Sequence, residues 1–165
     1  MFKGQFILVV CLGLLFSSAA IAQKKMPTVN IKTLEGKSVS IQNVIKKDKI
    51  TAVSFWATWC APCKKELDAI KKVYPEWQKK YDFELIAVTI DDIRGLPKVK
   101  PMVNQKGWTY TVLSDVNSEL KNALGFPTVP QLYLLDKEGK IVYSHSSYKL
   151  GDEKNLEEEI AKIAK

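Results

Sequence analysis

The sequence predicts an α/β fold in which helices flank a central mixed β-sheet. Two continuous apolar and β-branched runs, residues 50–56 and 83–90, are typical of strands that are buried on both faces. Helical patterns follow both runs, and strands that are separated by helices pair in parallel. Alternating apolar and polar residues before and after this central part predict hairpins, which add antiparallel strands to the sheet.

The first hairpin is predicted from residues 28–31 and 39–41, which alternate apolar and polar side chains. The segment between them contains Gly36, a residue type that favours turns. The strand at 50–56 follows, so we expect this N-terminal β-hairpin to precede the core of the sheet.

A long helix is predicted to begin near Cys60, shortly after the first buried strand. Its apolar residues recur at helical spacing and form one stripe of Leu67, Ile70, Val73, Tyr74 and Trp77. Pro75 lies within this stripe, and an internal proline removes a backbone hydrogen bond and clashes with the preceding turn. We therefore expect Pro75 to kink or break the helix.

The rest of the chain continues the alternation of strands and helices. After the strand at 83–90, the predicted elements are a short amphipathic helix at 97–106, a strand at 109–113, a short helix at 117–124, a hairpin of strands at 131–135 and 141–144, and a final helix at 153–164. Gly125 is the stop signal of the second of these helices.

The first 22 residues have the pattern of a secretory signal peptide. Lys3 supplies the positive charge, residues 6–16 are apolar, and Ala20-Ile21-Ala22 is a small-x-small cleavage site. The apolar run is shorter than the ~20 residues that span a bilayer, which favours cleavage over a retained membrane anchor. We therefore expect export, and in a Gram-negative bacterium the destination is the periplasm.

Cleavage of residues 1–22 would leave one domain, residues 23–165, which we expect outside the cytoplasm. Cys11 lies in the removed segment and lacks the small preceding residue of a lipoprotein, so lipidation is not expected. The two remaining cysteines, Cys60 and Cys63, are too few for the framework of a small disulfide-stapled scaffold. The pair needs another explanation.

The formal net charge of +7 comes almost entirely from lysines, because Arg94 is the only arginine. The lysines alternate with acidic residues on predicted helix faces, as in Lys64-Lys65-Glu66, and this alternation predicts a solvated surface. No stripe of arginine and aromatic residues indicates base stacking or groove reading, so we expect no nucleic acid partner. The net charge favours acidic partners weakly.

The segment Trp59-Cys60-Ala61-Pro62-Cys63 opens the long helix. Cys60 is expected at the helix N-terminus, where free N–H groups and the helix dipole stabilise a thiolate and lower the thiol pKa. Pro62 fits the first turn, where its missing N–H costs nothing. The spacing brings both sulfurs within disulfide reach, so the pair predicts thiol–disulfide exchange, with Cys60 attacking and Cys63 resolving.

Two structural roles for the cysteine pair are disfavoured. A structural zinc site needs four ligands, whereas the mature chain offers only the pair and His145. A disulfide that spans three positions constrains the unfolded chain very little. His145 itself lies on a predicted edge hairpin, and we expect it to be an ordinary residue.

The active-site segment resembles the thioredoxin superfamily, and residues 28–165 resemble its TlpA/ResA-like branch of exported thiol–disulfide oxidoreductases. The narrower resemblance is carried by the hairpin with Leu34-Glu35-Gly36-Lys37, the lead-in Phe55-Trp56-Ala57-Thr58-Trp59, and an extra segment at about 91–108 after the second core strand. The resemblance implies a thioredoxin-like fold, and its chemistry needs no bound metal or prosthetic group.

The resemblance also implies a cis-proline opposite the CxxC pair, directly before a strand whose backbone neighbourhood binds the substrate. Pro127 and Pro130 are the candidates, and Pro130 is chosen because residues 131–136 follow it as a strand that ends in an aspartate. The substrate-binding residues that follow from the resemblance are Trp59, Ala61, Pro62 and Val129.

Thioredoxin has a buried aspartate at the position of Ser54, and the TlpA/ResA-like branch lacks it. The resemblance implies instead a carboxylate from the loop after the next strand, which shuttles the proton of the buried thiol. Asp92 is the better positional match, and Asp91 is the second candidate. A solvated, loop-capping pair of aspartates is the alternative interpretation.

The leading hypothesis is an enzyme that exchanges disulfides with exported proteins, acts as a monomer and receives electrons from a membrane donor. In this family such reductants often serve cytochrome c maturation. The Ala61-Pro62 spacer lacks the histidine of strong oxidants, which favours a low-potential reductant.

Two other functions remain as alternatives. A copper-binding thioredoxin-fold module uses paired cysteines and a well-placed histidine, but the spacing here is CxxC rather than CxxxC and His145 lies outside the expected segment. A peroxiredoxin-like peroxidase uses Thr-x-x-Cys with a nearby arginine, but Ala57 stands at the threonine position and Arg94 is the only arginine.

Overall fold

The computed structural model describes residues 24–165. Within them the strands are β1 Asn30–Thr33, β2 Ser38–Ser40, β3 Ile50–Trp56, β4 Phe83–Thr89, β5 Thr111–Ser114, β6 Gln131–Leu135 and β7 Ile141–Ser146. They form one sheet in the order β2-β1-β5-β4-β3-β6-β7. Strands β3, β4 and β5 are parallel, and antiparallel pairs extend the sheet at both edges. The predicted mixed sheet is confirmed.

The helices flank this sheet. They are α1 Ile41–Val44, α2 Ala61–Tyr81, α3 Val99–Lys106, α4 Glu119–Leu124 and α5 Asp152–Ile163, with a 3₁₀ turn at Leu96–Lys98. Among residues 24–165, no helix has the length and apolarity to cross a bilayer. The predicted signal peptide, residues 1–22, lies outside the described residues, and its cleavage stays a prediction.

The predicted second strand ends one residue early, because Ile41 begins helix α1. The side chain of Ile41 is fully buried, and its N–H donates to the carbonyl of Val29 at 3.0 Å. An alternation over only three residues does not distinguish a strand from the start of a helical turn. The other predicted elements are present, with ends that shift by a few residues.

Strand β3 is buried along its whole length because the sheet carries a core on each face. Ala52 and Trp56 point into the core that includes residues of α2 and α5. Val53 and Phe55 point into the opposite core, which includes residues of α1 and α4. Burial on both faces explains the continuous apolar run in the sequence. It also fixes the end of β3, and hence the start of α2, against packed layers.

Of the two effects predicted for Pro75, a kink or a break, the break is wrong, because α2 runs from Ala61 to Tyr81 through this residue. Tyr74 and Trp77, on either side of Pro75, both pack against the ring of Phe83, with ring centroids 6.1 and 5.5 Å away. An internal proline costs a helix about 3 kcal/mol. The burial of two large aromatic side chains on the same face offsets that cost.

Candidate active site

The two cysteines lie at the N-terminus of α2. Cys60 is the N-cap residue with extended backbone, and Pro62 lies in the first turn, as predicted. The N–H of Cys63 donates a hydrogen bond to Sγ of Cys60 at 3.3 Å. The two side chains form a disulfide, with their Cα atoms 5.4 Å apart. The sulfur of Cys60 therefore receives an N–H that the start of a helix leaves without a backbone partner.

The two sulfurs differ in accessibility. Cys60 keeps 4% of its surface exposed, whereas Cys63 keeps none. Cys60 is therefore the more accessible of the two in the disulfide form, although both side chains are largely buried. Both lie in an apolar cluster that includes Trp56 and Trp108, whose rings meet edge-on with centroids 5.0 Å apart.

Two effects on a Cys60 thiolate oppose each other. The apolar cluster disfavours charge, whereas the helix N-terminus and the Cys63 N–H favour it. Interaction with a helix end contributes up to about 2 kcal/mol in partly buried geometries. The ammonium of Lys64, which donates to the carbonyl of Thr58 at 2.8 Å, adds positive charge beside the same turn. We expect the thiolate to be favoured on balance.

The residues expected to bind substrate surround Cys60 at the surface. Trp59 is 68% exposed, Ala61 and Pro62 are exposed, and Val129 is half-buried. An exposed tryptophan beside a reactive sulfur offers a large apolar contact for a polypeptide. Their role in binding stays a prediction.

The peptide bond between Val129 and Pro130 is cis. Strand β6 begins at the next residue and pairs with β3 in the register Gln131 with Phe55. One step further along this register, Pro130 lies opposite Trp56, at the end of β3 that leads to Cys60. The structure thus places Pro130, and not Pro127, beside the lead-in to the cysteine pair.

Asp91 is buried and holds the loop that precedes Cys60. Its carboxylate accepts hydrogen bonds from the N–H of Thr58 at 2.8 Å and from the Thr58 hydroxyl at 2.7 Å. The hydroxyl of Thr89 donates a third. Gly95 packs so closely that a Cβ there would lie 2.6 Å from Oδ1 of Asp91. Asp91 therefore joins the end of β4 to the active-site loop.

Asp92, the first choice for the proton-shuttling carboxylate, does not occupy a buried position. Its exposed carboxylate pairs with the guanidinium of Arg94 at 2.8 Å and accepts the N–H of Gly95 at 3.0 Å. The hydrogen bond from Arg94 and that from the Gly95 N–H lower the pKa of Asp92. An ionised surface carboxylate does not suit a group that takes a proton from a buried thiol, so the structure gives Asp92 a loop-capping position instead.

Helix α2 carries a buried carboxylate that the sequence patterns did not predict. Glu66 was expected on a solvated face, but it is 2% exposed. It lies three residues after Cys63, and residues three apart share a face of a helix. Its Oε2 accepts a hydrogen bond from the hydroxyl of Ser54 at 3.0 Å. The spacing from Cys63 was the signal, and it was obscured by the lysines beside Glu66.

His145 is the second partner of this carboxylate. Its Nε2 lies 2.7 Å from Oε1 of Glu66 across 79 positions of sequence. The sequence patterns did not predict this contact between His145 and a buried carboxylate.

The two alternative functions find no support in this geometry. Arg94, which a peroxidase would need beside the sulfur, is exposed and paired with Asp92. His145, the histidine that a copper site would need, contacts Glu66 through Nε2. Among residues 24–165, no group of three or more histidine, cysteine, aspartate or glutamate side chains is arranged to hold a metal ion.

A disulfide at a helix start, beside a cis-proline, is an arrangement suited to thiol–disulfide exchange. The chain has the fold of thioredoxin-like proteins. Comparison with known families agrees with this class, since residues 22–144 match the AhpC/TSA family. The chain belongs to the AhpC/TSA family.

Individual relatives are also similar. The thiol-disulfide oxidoreductase ResA of Bacillus thuringiensis (strain Al Hakam) is 34% identical over 119 residues, which are 72% of this chain and 66% of that protein. The sporulation thiol-disulfide oxidoreductase A of Bacillus subtilis (strain 168) is 32% identical over 148 residues, covering 82% of this chain and 84% of that protein. The chain thus spans just under two thirds of the first relative's length.

A solved structure confirms the thioredoxin-like fold. A thioredoxin-like protein from Porphyromonas gingivalis superposes with a TM-score of 0.75 and is 39% identical, over 84% of this chain and 91% of that one. The observed sheet and the cysteine-bearing helix thus belong to a known arrangement.

Proposed function

We propose that this protein reduces disulfides in exported polypeptides, with Cys60 as the attacking thiol and Cys63 as the resolving thiol. The observation that carries the proposal is the disulfide at the N-terminus of α2, in which the Cys63 N–H donates to Sγ of Cys60. The names of the similar relatives, thiol-disulfide oxidoreductases, support the same reaction.

The first step uses the more accessible sulfur. The Cys60 thiolate attacks one sulfur of a client disulfide, and a new S–S bond joins protein and client. The second client sulfur leaves as a thiolate and takes a proton. Because Cys63 has no exposed surface, a client sulfur cannot reach it directly, and this supports Cys60 as the attacker.

The second step releases the client. The Cys63 thiol loses its proton, and the thiolate attacks Sγ of Cys60 and displaces the first client sulfur, which leaves as a thiolate and takes a proton. The client gains two electrons and two protons, and the protein is left with the disulfide. The buried proton of Cys63 needs a base, and we propose Glu66 for this role because it is a buried carboxylate one turn further along α2.

A groove beside Trp59 suits a client polypeptide. Its volume is about 590 Å³, and Thr58 and Met102 also line it. Lys98 and Lys121 contribute its positive charge, and neither forms an ion pair within residues 24–165. We expect the client segment next to the reacting cysteine to lie here, with a preference for acidic side chains.

The reducing direction is proposed from the spacer between the cysteines. Ala61-Pro62 contributes no charged or hydrogen-bonding side chain to stabilise the Cys60 thiolate. A less stabilised dithiol form makes a poorer oxidant, and the reference values run from about −120 mV for DsbA to −270 mV for thioredoxin. We expect a potential towards the lower end.

The cellular setting is proposed from the signal-peptide pattern of residues 1–22. A reductant outside the cytoplasm needs electrons that cross the membrane, so we propose a membrane-bound dithiol donor. Haem-attachment thiols of c-type cytochromes are the proposed clients, in keeping with the resemblance to the TlpA/ResA-like branch. We propose that the protein works as a monomer and without a metal or cofactor.

Trapping of clients tests the proposal. Replacing Cys63 with alanine removes the resolving thiol, so clients accumulate as mixed disulfides on Cys60 and are identified after extraction from the exported fraction. Cys60→Ala is the matched control and should trap nothing. Equal trapping by both variants would contradict the attacker assignment, and a measured potential near −120 mV would contradict the reducing direction.

A further inference from the structure

The hydrogen-bonded network around Glu66 connects the buried interior to the surface. Ser54 donates to one oxygen of the carboxylate at 3.0 Å, and Nε2 of His145 lies 2.7 Å from the other. Ser54 is fully buried, whereas the side chain of His145 is 17% exposed. The imidazole is thus the partner of Glu66 that also contacts solvent.

A proton on Glu66 needs a route out. In the proposed second step Glu66 takes the proton of Cys63, and both carboxylate oxygens already have hydrogen-bond partners. The Ser54 hydroxyl is fully buried, so a transfer through it would not reach water. An imidazole differs from a hydroxyl because it accepts a proton at one nitrogen and releases another from the second.

We propose that His145 is a proton-relay residue that carries the proton from Glu66 to solvent while Cys63 resolves the mixed disulfide. The inference rests on the proposed function. The imidazole begins with its proton on Nδ1. Glu66 gives its proton to Nε2, Nδ1 releases its proton to water, and the imidazole is again neutral, now with its proton on Nε2. When the donor reduces the disulfide, the same transfers run in reverse, which restores the tautomer and returns a proton to Cys63.

The groups around His145 are compatible with a transient positive charge. The titratable side chains that face it are Glu66 from α2, Tyr143 from the same strand, Tyr148 from the following loop, and Asp152 and Glu153 from the start of α5. Three of the five are carboxylic acids, and a nearby carboxylate stabilises an imidazolium.

The two carboxylates of α5 have other partners. Glu153 accepts the Tyr148 hydroxyl at 2.7 Å, and Asp152 accepts the N–H of Lys149 at 2.7 Å. These contacts hold the start of α5 and leave the bond between His145 and Glu66 as the contact through which a proton passes. A relay and a purely structural hydrogen bond have the same geometry, so the test must separate them.

The first experiment uses the unmodified protein. His145 is the only histidine in the chain, so its imidazole NMR signals need no assignment. If its protons are coupled to the cysteine pair, its titration midpoint differs between the dithiol and disulfide forms. The same midpoint in both forms would overturn the proposal.

The second experiment compares His145→Gln with Ser144→Gln, an exposed neighbour on the same strand. A glutamine at 145 keeps a hydrogen-bond donor for Glu66 but cannot carry a proton. In stopped-flow reactions with a disulfide-bonded peptide, we expect the rate at which Cys63 resolves the mixed disulfide to fall about tenfold in His145→Gln. The effect is moderate because the variant loses the relay but keeps Glu66 as the base. Its pH–rate profile also loses the change between about pH 5 and 8 that an imidazole produces.

The first step of the reaction is the internal reference. With Cys63 replaced by alanine, adding His145→Gln leaves mixed-disulfide formation within twofold. Unchanged resolution in His145→Gln at every pH overturns the relay alone. Failure of the unmodified protein to form any mixed disulfide overturns the proposed function and the relay together.

Discussion

Thr58 donates two hydrogen bonds to Asp91, one from its backbone N–H and one from its hydroxyl. The two residues are 33 positions apart, and their contact joins the ends of the adjacent parallel strands β3 and β4. Because Thr58 precedes Cys60 by two residues, this contact sets the path of the chain into the helix whose N-terminus holds the disulfide.

Asp91→Ala should destabilise the protein by about 3 kcal/mol, since it leaves the buried donors of Thr58 and Thr89 without their acceptor. Urea unfolding measures the loss. Asp92→Ala is the matched control, because the neighbouring carboxylate is exposed and its removal should change the free energy of unfolding far less. Similar losses for both variants would contradict the assigned role of Asp91.

Glu66→Gln should slow resolution of the mixed disulfide about a hundredfold, because an amide cannot take the proton of Cys63. The rate of mixed-disulfide formation at Cys60 should not change. Stopped-flow kinetics with and without Cys63 separate the two steps. Glu76→Gln, an exposed change on the same helix, is the control and should alter neither rate.

Pro75→Ala should raise the free energy of unfolding by about 2 kcal/mol, because alanine restores a helical N–H and removes the clash of the proline ring. This gain outweighs the freedom that the unfolded chain acquires when the proline is lost. Pro97→Ala is the comparison, since that proline lies at the start of a 3₁₀ turn, where it has no helical bond to restore. Urea denaturation compares them. A stability gain at position 97 equal to that at 75 would contradict this reasoning.

Titration of Asp115 should make the free energy of unfolding depend on pH. Its carboxyl is buried, and burial raises the pKa. The hydrogen bonds that it accepts from the N–H groups of Lys121 and Leu120 lower the pKa, but burial is the larger effect. Because the pKa of Asp115 is higher in the folded protein, its contribution to stability is fully present below the unfolded-chain pKa of about 3.9. This contribution is lost as pH rises through the pKa of the folded state.

The variant Asp115→Asn lacks this titration. Its stability relative to the parent protein should therefore rise between pH 3.5 and pH 7, as measured by urea unfolding at both values. Asp92→Asn should move in the opposite direction and only slightly, because Arg94 lowers the pKa of an exposed carboxylate. A constant difference for Asp115→Asn would refute the role of burial.

Local patterns predicted most of the fold. The run at 50–56 became strand β3 with the same bounds, because a strand buried on both faces carries mostly apolar and β-branched residues on both. The helix N-terminus at Cys60 was also predictable, because the segment follows this strand directly and carries Pro62 at a position that suits the first helical turn. The path of α2 through Pro75 was not predictable, since it depends on rings that pack against Phe83.

The supporting charges of the site were harder to predict. Glu66 stands among lysines, and the charge pattern indicated a solvated face, although its spacing from Cys63 places both on the buried side. The contact of Glu66 with His145 joins distant parts of the chain, so no local pattern contains it. Asp91 and Asp92 are neighbours of the same type, and the buried one is held by Thr58, which lies 33 positions away, so no local pattern distinguishes the two.

The central claim is that the start of α2 makes the Cys60 thiol acidic. The rate of alkylation of Cys60 by iodoacetamide, measured against pH in the reduced protein and assigned by mass spectrometry, tests it directly. We expect the midpoint of this rate to lie at least one pH unit below the value of about 8.5 for an ordinary cysteine. A midpoint at or above 8.5 would contradict the claim, because burial in the apolar cluster would then outweigh the helix N-terminus.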